Sequence, residues 1–224
     1  PMLTRMGLIT RLTRRLLPLA LHDLAGFQRI NPGLRMHVNV SAADLAEAGF
    51  ADAVPQAIAE AAVRADSVEL ELTESELVDA RTPTLAAIAQ LRGAGVGVAI
   101  DDFGTGYSSL ARLADLPATS YKVDAAFVRG LSPASKQLEV VKVIVALGRT
   151  LSKMVIAEGI ETTEQMELLL SAGCEFGQGF AYSKPLALDA ATEKVREDAA
   201  RGAPETQAVG VEPSVRVSAF GGEP

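Results

Sequence analysis

The chain has 224 residues, enough for one large domain with a sizeable core, and 48% of them are hydrophobic but only 4% aromatic, so its packing is aliphatic. A net charge of −7 and a pI near 5.0 disfavour a nonspecific nucleic-acid or membrane-surface binder, and an anionic substrate would need local positive charge, most simply metal ions. The single Cys174 excludes an intramolecular disulfide framework and suits a reducing cytoplasm, these residues show no signal-peptide pattern, and no apolar run approaches the ~20 residues of a membrane helix.

In chain order, Leu12, Leu16 and Leu19 mark an opening helix with no strand before it. From Leu34 onward short β-type runs alternate with longer helical patterns, the signature of βα units around a parallel sheet. Strands are expected over Arg35–Val40, Val68–Thr73, Val96–Ile100, Thr119–Val123, Met154–Ala157 and Glu175–Phe180. Between them, Leu85, Ile88 and Leu91 follow Pro83 at helical spacing, and Val140, Val143, Ile144 and Leu147 follow Pro133. Six βα repeats and an orphan helix fall short of the eight strands of a closed (β/α)8 barrel, as though the first part were absent. Beyond about Ala200 the periodicity fades and Gly and Pro accumulate, which predicts a barrel-type domain over 1–190 and a flexible tail over 200–224.

The most informative run is Asp101-Asp102-Phe103-Gly104-Thr105-Gly106-Tyr107-Ser108-Ser109-Leu110, entered through Val96-Gly97-Val98-Ala99-Ile100. It places two adjacent carboxylates at the carboxyl end of a buried strand, where α/β enzymes keep their chemistry. Such neighbours repel unless something positive sits between them, so the pair implies a divalent cation or a raised pKa. Oxygen-only ligands favour Mg²⁺, Mn²⁺ or Ca²⁺ over zinc. On this motif alone, a polar turn in which Asp101 caps the following helix stays open as an alternative. Asp-Phe-Gly also occurs in protein kinases, but no Val-Ala-Ile-Lys strand, His-Arg-Asp loop or glycine-rich phosphate loop accompanies it.

The other strands end in equally suggestive residues: Asn39, then Glu71 and Glu74, Lys122 and Asp124, Glu158 and Glu161, and Gln178. Charges at a barrel mouth are costly unless paired or metal-bound, so a polar residue on six consecutive strands is hard to assign to chance. His22 and His37 have no Cys or His partner at zinc spacing and read as structural or solvent-facing, and Arg11, Arg14 and Arg15 read as a solvated helix face.

Taken together, Val38-Asn39-Val40-Ser41, Glu71-Leu72-Thr73-Glu74, the Asp101–Leu110 run, Lys122-Val123-Asp124, Ala157-Glu158-Gly159-Ile160-Glu161-Thr162 and Gly173-Cys174-Glu175 through Gln178-Gly179-Phe180 resemble, in order and spacing, the EAL domain of bacterial cyclic di-GMP phosphodiesterases. The resemblance runs from about Gly7-Leu8-Ile9 to Leu188. It implies an α/β fold, a TIM-like (β/α)8 barrel, with two Mg²⁺ or Mn²⁺ ions that activate a water to cut cyclic di-GMP to pGpG. By motif, Asn39, Glu71 and Asp101 would ligate the first metal, with Asp101 bridging to a second held by Asp102. Lys122 would position the water, Glu158 would act as base or metal-site carboxylate, and Asp124, Glu161 and Gln178 would complete the metal and water shell. Glu74 would anchor the loop, whose Phe103, Gly104, Thr105, Gly106, Tyr107 and Ser108 lie beside substrate.

The Glu-Ala-Leu sequence that names the family, with its metal-ligating Glu and nearby phosphate-contacting Arg, does not occur in this chain. The expectation is therefore a barrel lacking its first two strands and first helix, with an open edge and impaired activity. A catalytically inactive cyclic di-GMP receptor or interaction module is the alternative. The resemblance further implies a bacterial cytoplasmic setting, possible pairing of two copies through the 102–109 loop region, a sensory or GGDEF-type domain outside this chain, and no DNA partner.

Overall fold

The computed structural model describes residues 9–78, 82–106, 116–201 and 214–217. In order, its elements are α1 (Ile9–Gln28), β1 (Arg35–Asn39), α2 (Ala42–Ala46), α3 (Phe50–Glu60), a 3-10 turn (Ala65–Ser67), β2 (Val68–Thr73), α4 (Glu74–Val78), α5 (Thr82–Gly93) and β3 (Gly97–Phe103). There follow β4 (Ser120–Val123), α6 (Ala125–Arg129), α7 (Lys136–Thr150), β5 (Met154–Ala157), α8 (Thr163–Ser171), β6 (Phe176–Gly177), α9 (Leu188–Ala200) and β7 (Ser214–Val217). The chain forms two compact units, Pro1–Val98 with Pro213–Pro224, and Ala99–Glu212.

In the first unit β1 pairs in parallel with β2, from Met36↔Val68 to Asn39↔Glu71, and on its other side with β7, from Arg35↔Ser214 to Val38↔Val217. Ser214–Val217, within the segment expected to be a tail, forms this strand. Its Ser-Val-Arg-Val sequence alternates β-branched residues, and an uncovered β1 edge would leave a row of N–H and C=O groups without strand partners. Helix α1 buries Leu17, Ala20, Leu21, Leu24 and Phe27, whereas Leu19 faces out. The buried stripe runs at i, i+3, i+4, i+7 from Leu17, so the leucines that mark the helix in sequence are not the ones that seat it. Helix α2 starts with a capping box: Ser41 Oγ accepts the Asp44 N–H at 3.2 Å, and Asp44 Oδ2 accepts the Ser41 N–H at 2.7 Å.

In the second unit β3, β4, β5 and β6 lie side by side, all parallel. Helix α7 is capped by Ser135, whose Oγ accepts the Leu138 N–H, and seats Leu138, Val141, Ile144 and Val145 inward. Val140 and Val143, expected to belong to its apolar spacing, are exposed, Val143 by 68%. Helix α8 opens on a Thr162–Gln165 capping box. The sixth strand is shorter than the expected Glu175–Phe180 because the chain swings across Ile160 there. Ile160 N–H donates to the Gln178 carbonyl at 3.1 Å and Ala181 N–H donates to the Ile160 carbonyl at 2.9 Å. Only a glycine fits this crossing, since a Cβ on Gly179 would overlap the Ile160 backbone.

Candidate metal centre

Strand β3 continues through Asp101 and Asp102 rather than stopping at Ile100, and Asp101 lies inside the strand, which removes the helix-cap alternative. Adjacent residues of a regular strand point to opposite faces, so two neighbouring carboxylates should diverge. They do not, because the β3–β4 register shifts between Ile100 and Phe103 and Asp102 sits in the left-handed region at φ 53. The bulge turns Asp102 back toward its neighbour. Its N–H donates to Asp101 Oδ1 at 3.1 Å.

Glu158 reaches the same point from the end of β5, where its N–H donates to the Val123 carbonyl at 3.1 Å. Oxygens of Asp101, Asp102 and Glu158 lie within 4.8 Å of one another. Lys122, on β4 and 0% exposed, puts Nζ 2.5 Å from Glu158 Oε1 and 3.5 Å from Asp101 Oδ1. Three carboxylates against one ammonium leave a net negative, oxygen-only donor set, which fits a hard divalent cation. The positive group that two adjacent aspartates require is thus partly supplied by the chain itself.

Strand β3 ends in a buried Phe103, and the loop beyond it is exposed at Gly104, Thr105 and Gly106. Phe103 stacks on Tyr121 with ring centroids 4.5 Å apart and planes 10° from parallel. Burial holds the Tyr121 phenol above its ordinary pKa. Gly104 has φ 97, and a Cβ there would come 3.0 Å from the Phe127 ring and 3.3 Å from Ile144 Cδ1. Thr105 Oγ1 donates to the Asp102 carbonyl at 2.8 Å. Gly106 is exposed; Tyr107 and Ser108 lie outside the described residues. Asp124 serves as the N-cap of α6, its Oδ1 accepting the Ala126 N–H at 2.7 Å. Glu161 is exposed, with its N–H donating to Gln165 Oε1, and Gln178 is half-buried just past β6. Neither Asp124 nor Glu161 belongs to the carboxylate group described above.

In the first unit Asn39 and Glu71 are register partners at the ends of β1 and β2. Glu74 is buried at the start of α4. Two residues that the sequence reading did not single out complete the picture. Glu76 staples the ends of both strands: Oε1 accepts the Ala42 N–H at 3.2 Å and Oε2 accepts from Thr73 Oγ1 at 2.9 Å. Glu69 is buried beside His37, which is 1% exposed and has Nδ1 3.0 Å from Glu71 Oε1 and 3.6 Å from Glu69 Oε2. The signal for Glu69 was the strand period, since it is two residues before Glu71 on β2 and shares its face.

The model of the EAL domain family matches residues 1–185. The chain belongs to the EAL domain family. It is 38% identical over 195 residues to the cyclic di-GMP phosphodiesterase NbdA of Pseudomonas aeruginosa, covering 85% of this chain and 24% of that protein. It is 43% identical over 149 residues to the bifunctional diguanylate cyclase/cyclic di-GMP phosphodiesterase MucR of Pseudomonas aeruginosa, covering 66% of this chain and 22% of that protein. The chain thus spans about a quarter of the length of these curated relatives. Among solved structures, the PaMucR phosphodiesterase in complex with c-di-GMP superposes with a TM-score of 0.79 at 37% identity, over 85% of this chain and 77% of that one. The manganese and cyclic di-GMP complex of Klebsiella pneumoniae BlrP1 gives 0.71 at 29% identity, over 78% and 44%. The α/β fold of the EAL domains, a TIM-like barrel, is the fold of this chain.

Proposed function

We propose that this EAL domain hydrolyses cyclic di-GMP to linear pGpG with two Mg²⁺ or Mn²⁺ ions. The observation that carries the reading is the convergence of Asp101, Asp102 and Glu158 within 4.8 Å, with Lys122 buried against Glu158. Asp101 and Asp102 would hold the metals, and Asn39 and Glu71 take the remaining ligand roles by motif. When bound, the ions lower the pKa of a coordinated water and neutralise the phosphodiester. Glu158 would take the proton of the attacking water as that water's oxygen bonds to phosphorus; the phosphorus–ribose oxygen bond breaks, leaving a terminal phosphate, and the departing ribose oxygen takes a proton from solvent to become a hydroxyl. Lys122 holds Glu158 in place through the ion pair and orients the water. Glu74 anchors the Asp102-bearing loop, and Asp124, Glu161 and Gln178 serve the surrounding water shell. The bacterial cytoplasm is the setting that supplies this nucleotide.

A homodimer through the 102–109 loop belongs to the same reading. Gly104 lies close to Ile144 of α7, and that helix leaves Val140 and Val143 exposed. Val143→Glu should shift the mass measured by light scattering to the monomer; a dimer that persists overturns this part.

The decisive test incubates the chain with cyclic di-GMP and MnCl₂ or MgCl₂ and quantifies pGpG by chromatography. We expect formation that EDTA and Asp102→Asn both abolish. Nucleotide binding without pGpG in the presence of metal would identify a receptor, and neither binding nor turnover an interaction module; both outcomes overturn the enzyme reading.

A further inference from the structure

Beside the candidate metal ligand Glu71 stands a histidine that neither the motif set nor the mechanism uses. His37 lies on β1 two residues before Asn39, in register with Glu69, and its ring is enclosed to 1% exposure. Its Nδ1 is 3.0 Å from Glu71 Oε1 and 3.6 Å from Glu69 Oε2. An ionised carboxylate only accepts, so Nδ1 carries the proton and the imidazole donates to Glu71. The histidine is itself held. Glu69 flanks it, and Gly97 on β3 makes room for Glu69: a Cβ at Gly97 would stand 3.0 Å from Glu69 Cγ and 3.2 Å from the Val68 carbonyl.

We propose that His37 is a positioning residue for Glu71 and thereby sets the divalent-metal affinity of this domain, an inference that rests on the reading of Glu71 as a metal ligand. A freely rotating glutamate spreads its oxygens over several rotamers, and each must be given up when a cation binds. A short N–H···O bond from a buried ring fixes one carboxylate oxygen, and with it the plane of the carboxylate, in advance. Partners of this kind behind a ligand alter metal affinity by about 10–100-fold when removed. The arrangement also accounts for a buried histidine with two carboxylates for neighbours, which packing alone does not require.

The test separates donation from Nδ1 from mere polarity. Asparagine places its amide nitrogen where Nδ1 lies, glutamine places its own nearer the Nε2 position, and leucine fills the space with no donor. For wild type, His37→Asn, His37→Gln and His37→Leu, Mn²⁺ affinity is read from the loss of the free Mn²⁺ paramagnetic resonance signal, with folding checked by circular dichroism. We expect His37→Asn to bind close to wild type and His37→Gln and His37→Leu to weaken by about tenfold or more. If His37→Leu does not fold, the Asn–Gln pair decides. Equal affinity for the Asn and Gln variants, or a folded Leu variant with wild-type affinity, overturns the proposal while leaving the metal site standing. A wild-type chain that takes up no Mn²⁺ overturns the metal reading and this proposal with it.

Discussion

Lys122 is the residue whose removal says most about the carboxylate group. It is 0% exposed, with Nζ 2.5 Å from Glu158 Oε1 and 3.5 Å from Asp101 Oδ1, and both acidic partners are nearly as buried. Lys122→Met keeps most of the length of the side chain and deletes its charge. Taking one partner from a buried ion pair costs about 3–5 kcal/mol, because the other charge stays behind uncompensated. At about 2–4 °C per kcal/mol for a chain of this size, the metal-free variant should melt about 6–20 °C below wild type. A divalent cation reverses part of that loss, since in the variant it meets the three carboxylates without an opposing ammonium. Each tenfold gain in its affinity is about 1.4 kcal/mol, or about 3–6 °C of recovered melting temperature. Thermal melts in EDTA and across a MnCl₂ titration measure both quantities. A gap between variant and wild type that is the same with and without Mn²⁺ would show that Lys122 stabilises the fold and takes no part in a metal site.

Two further predictions concern the second unit. Burial pushes the Cys174 thiol up to about 11, above its ordinary 9.0. The folded state therefore keeps a proton that the unfolded chain releases, so this contribution is fully present below pH 9.0 and is lost as pH rises toward about 11. Urea midpoints should fall over that window and fall less in Cys174→Ala; parallel slopes would refute it. Gly159, at φ 69, faces Ala125, whose Cβ would stand 2.6 Å from a new Cβ. Gly159→Ala should cost about 1–3 kcal/mol, seen as a lower melting temperature, and because Gly159 follows Glu158 it should depress turnover as well. Unchanged melting would show that the α6 start yields easily.

What the sequence disclosed and what it withheld divide along a physical line. Strand β5 was readable to the residue because a buried parallel strand is a short apolar run with punctuated ends, and strand β2 because Val68, Leu70 and Leu72 alternate with Glu69 and Glu71. The polar residues at those ends were readable as a set, since a charge there needs a reason. The bulge that lets Asp101 and Asp102 converge was not, because a register shift depends on the neighbouring strand and leaves no local mark. The same holds for the Lys122–Glu158 pair, which joins β4 to the end of β5, and for His37, whose meaning lies in two glutamates on another strand. Asp124 shows the converse: an acidic residue at a strand end that sequence assigns to the metal and water shell is, in the structure, also the cap of a helix. Val143 shows that helical spacing locates a helix without telling which of its apolar positions face inward.

Strand β7 carries a consequence for synthesis. It belongs to the first unit, yet every residue of the second unit precedes it in the chain. While the nascent polypeptide emerges, β1 and β2 can pair early, whereas the pairing of β1 with β7 waits until the intervening βα repeats have left the ribosome. During that interval another extended segment can compete for the place of β7, and the β3–β6 repeats have time to collapse on their own. Pairing by β7 is then a late step of assembly, and a chain stalled or released before it lacks the ladder that β7 adds to β1.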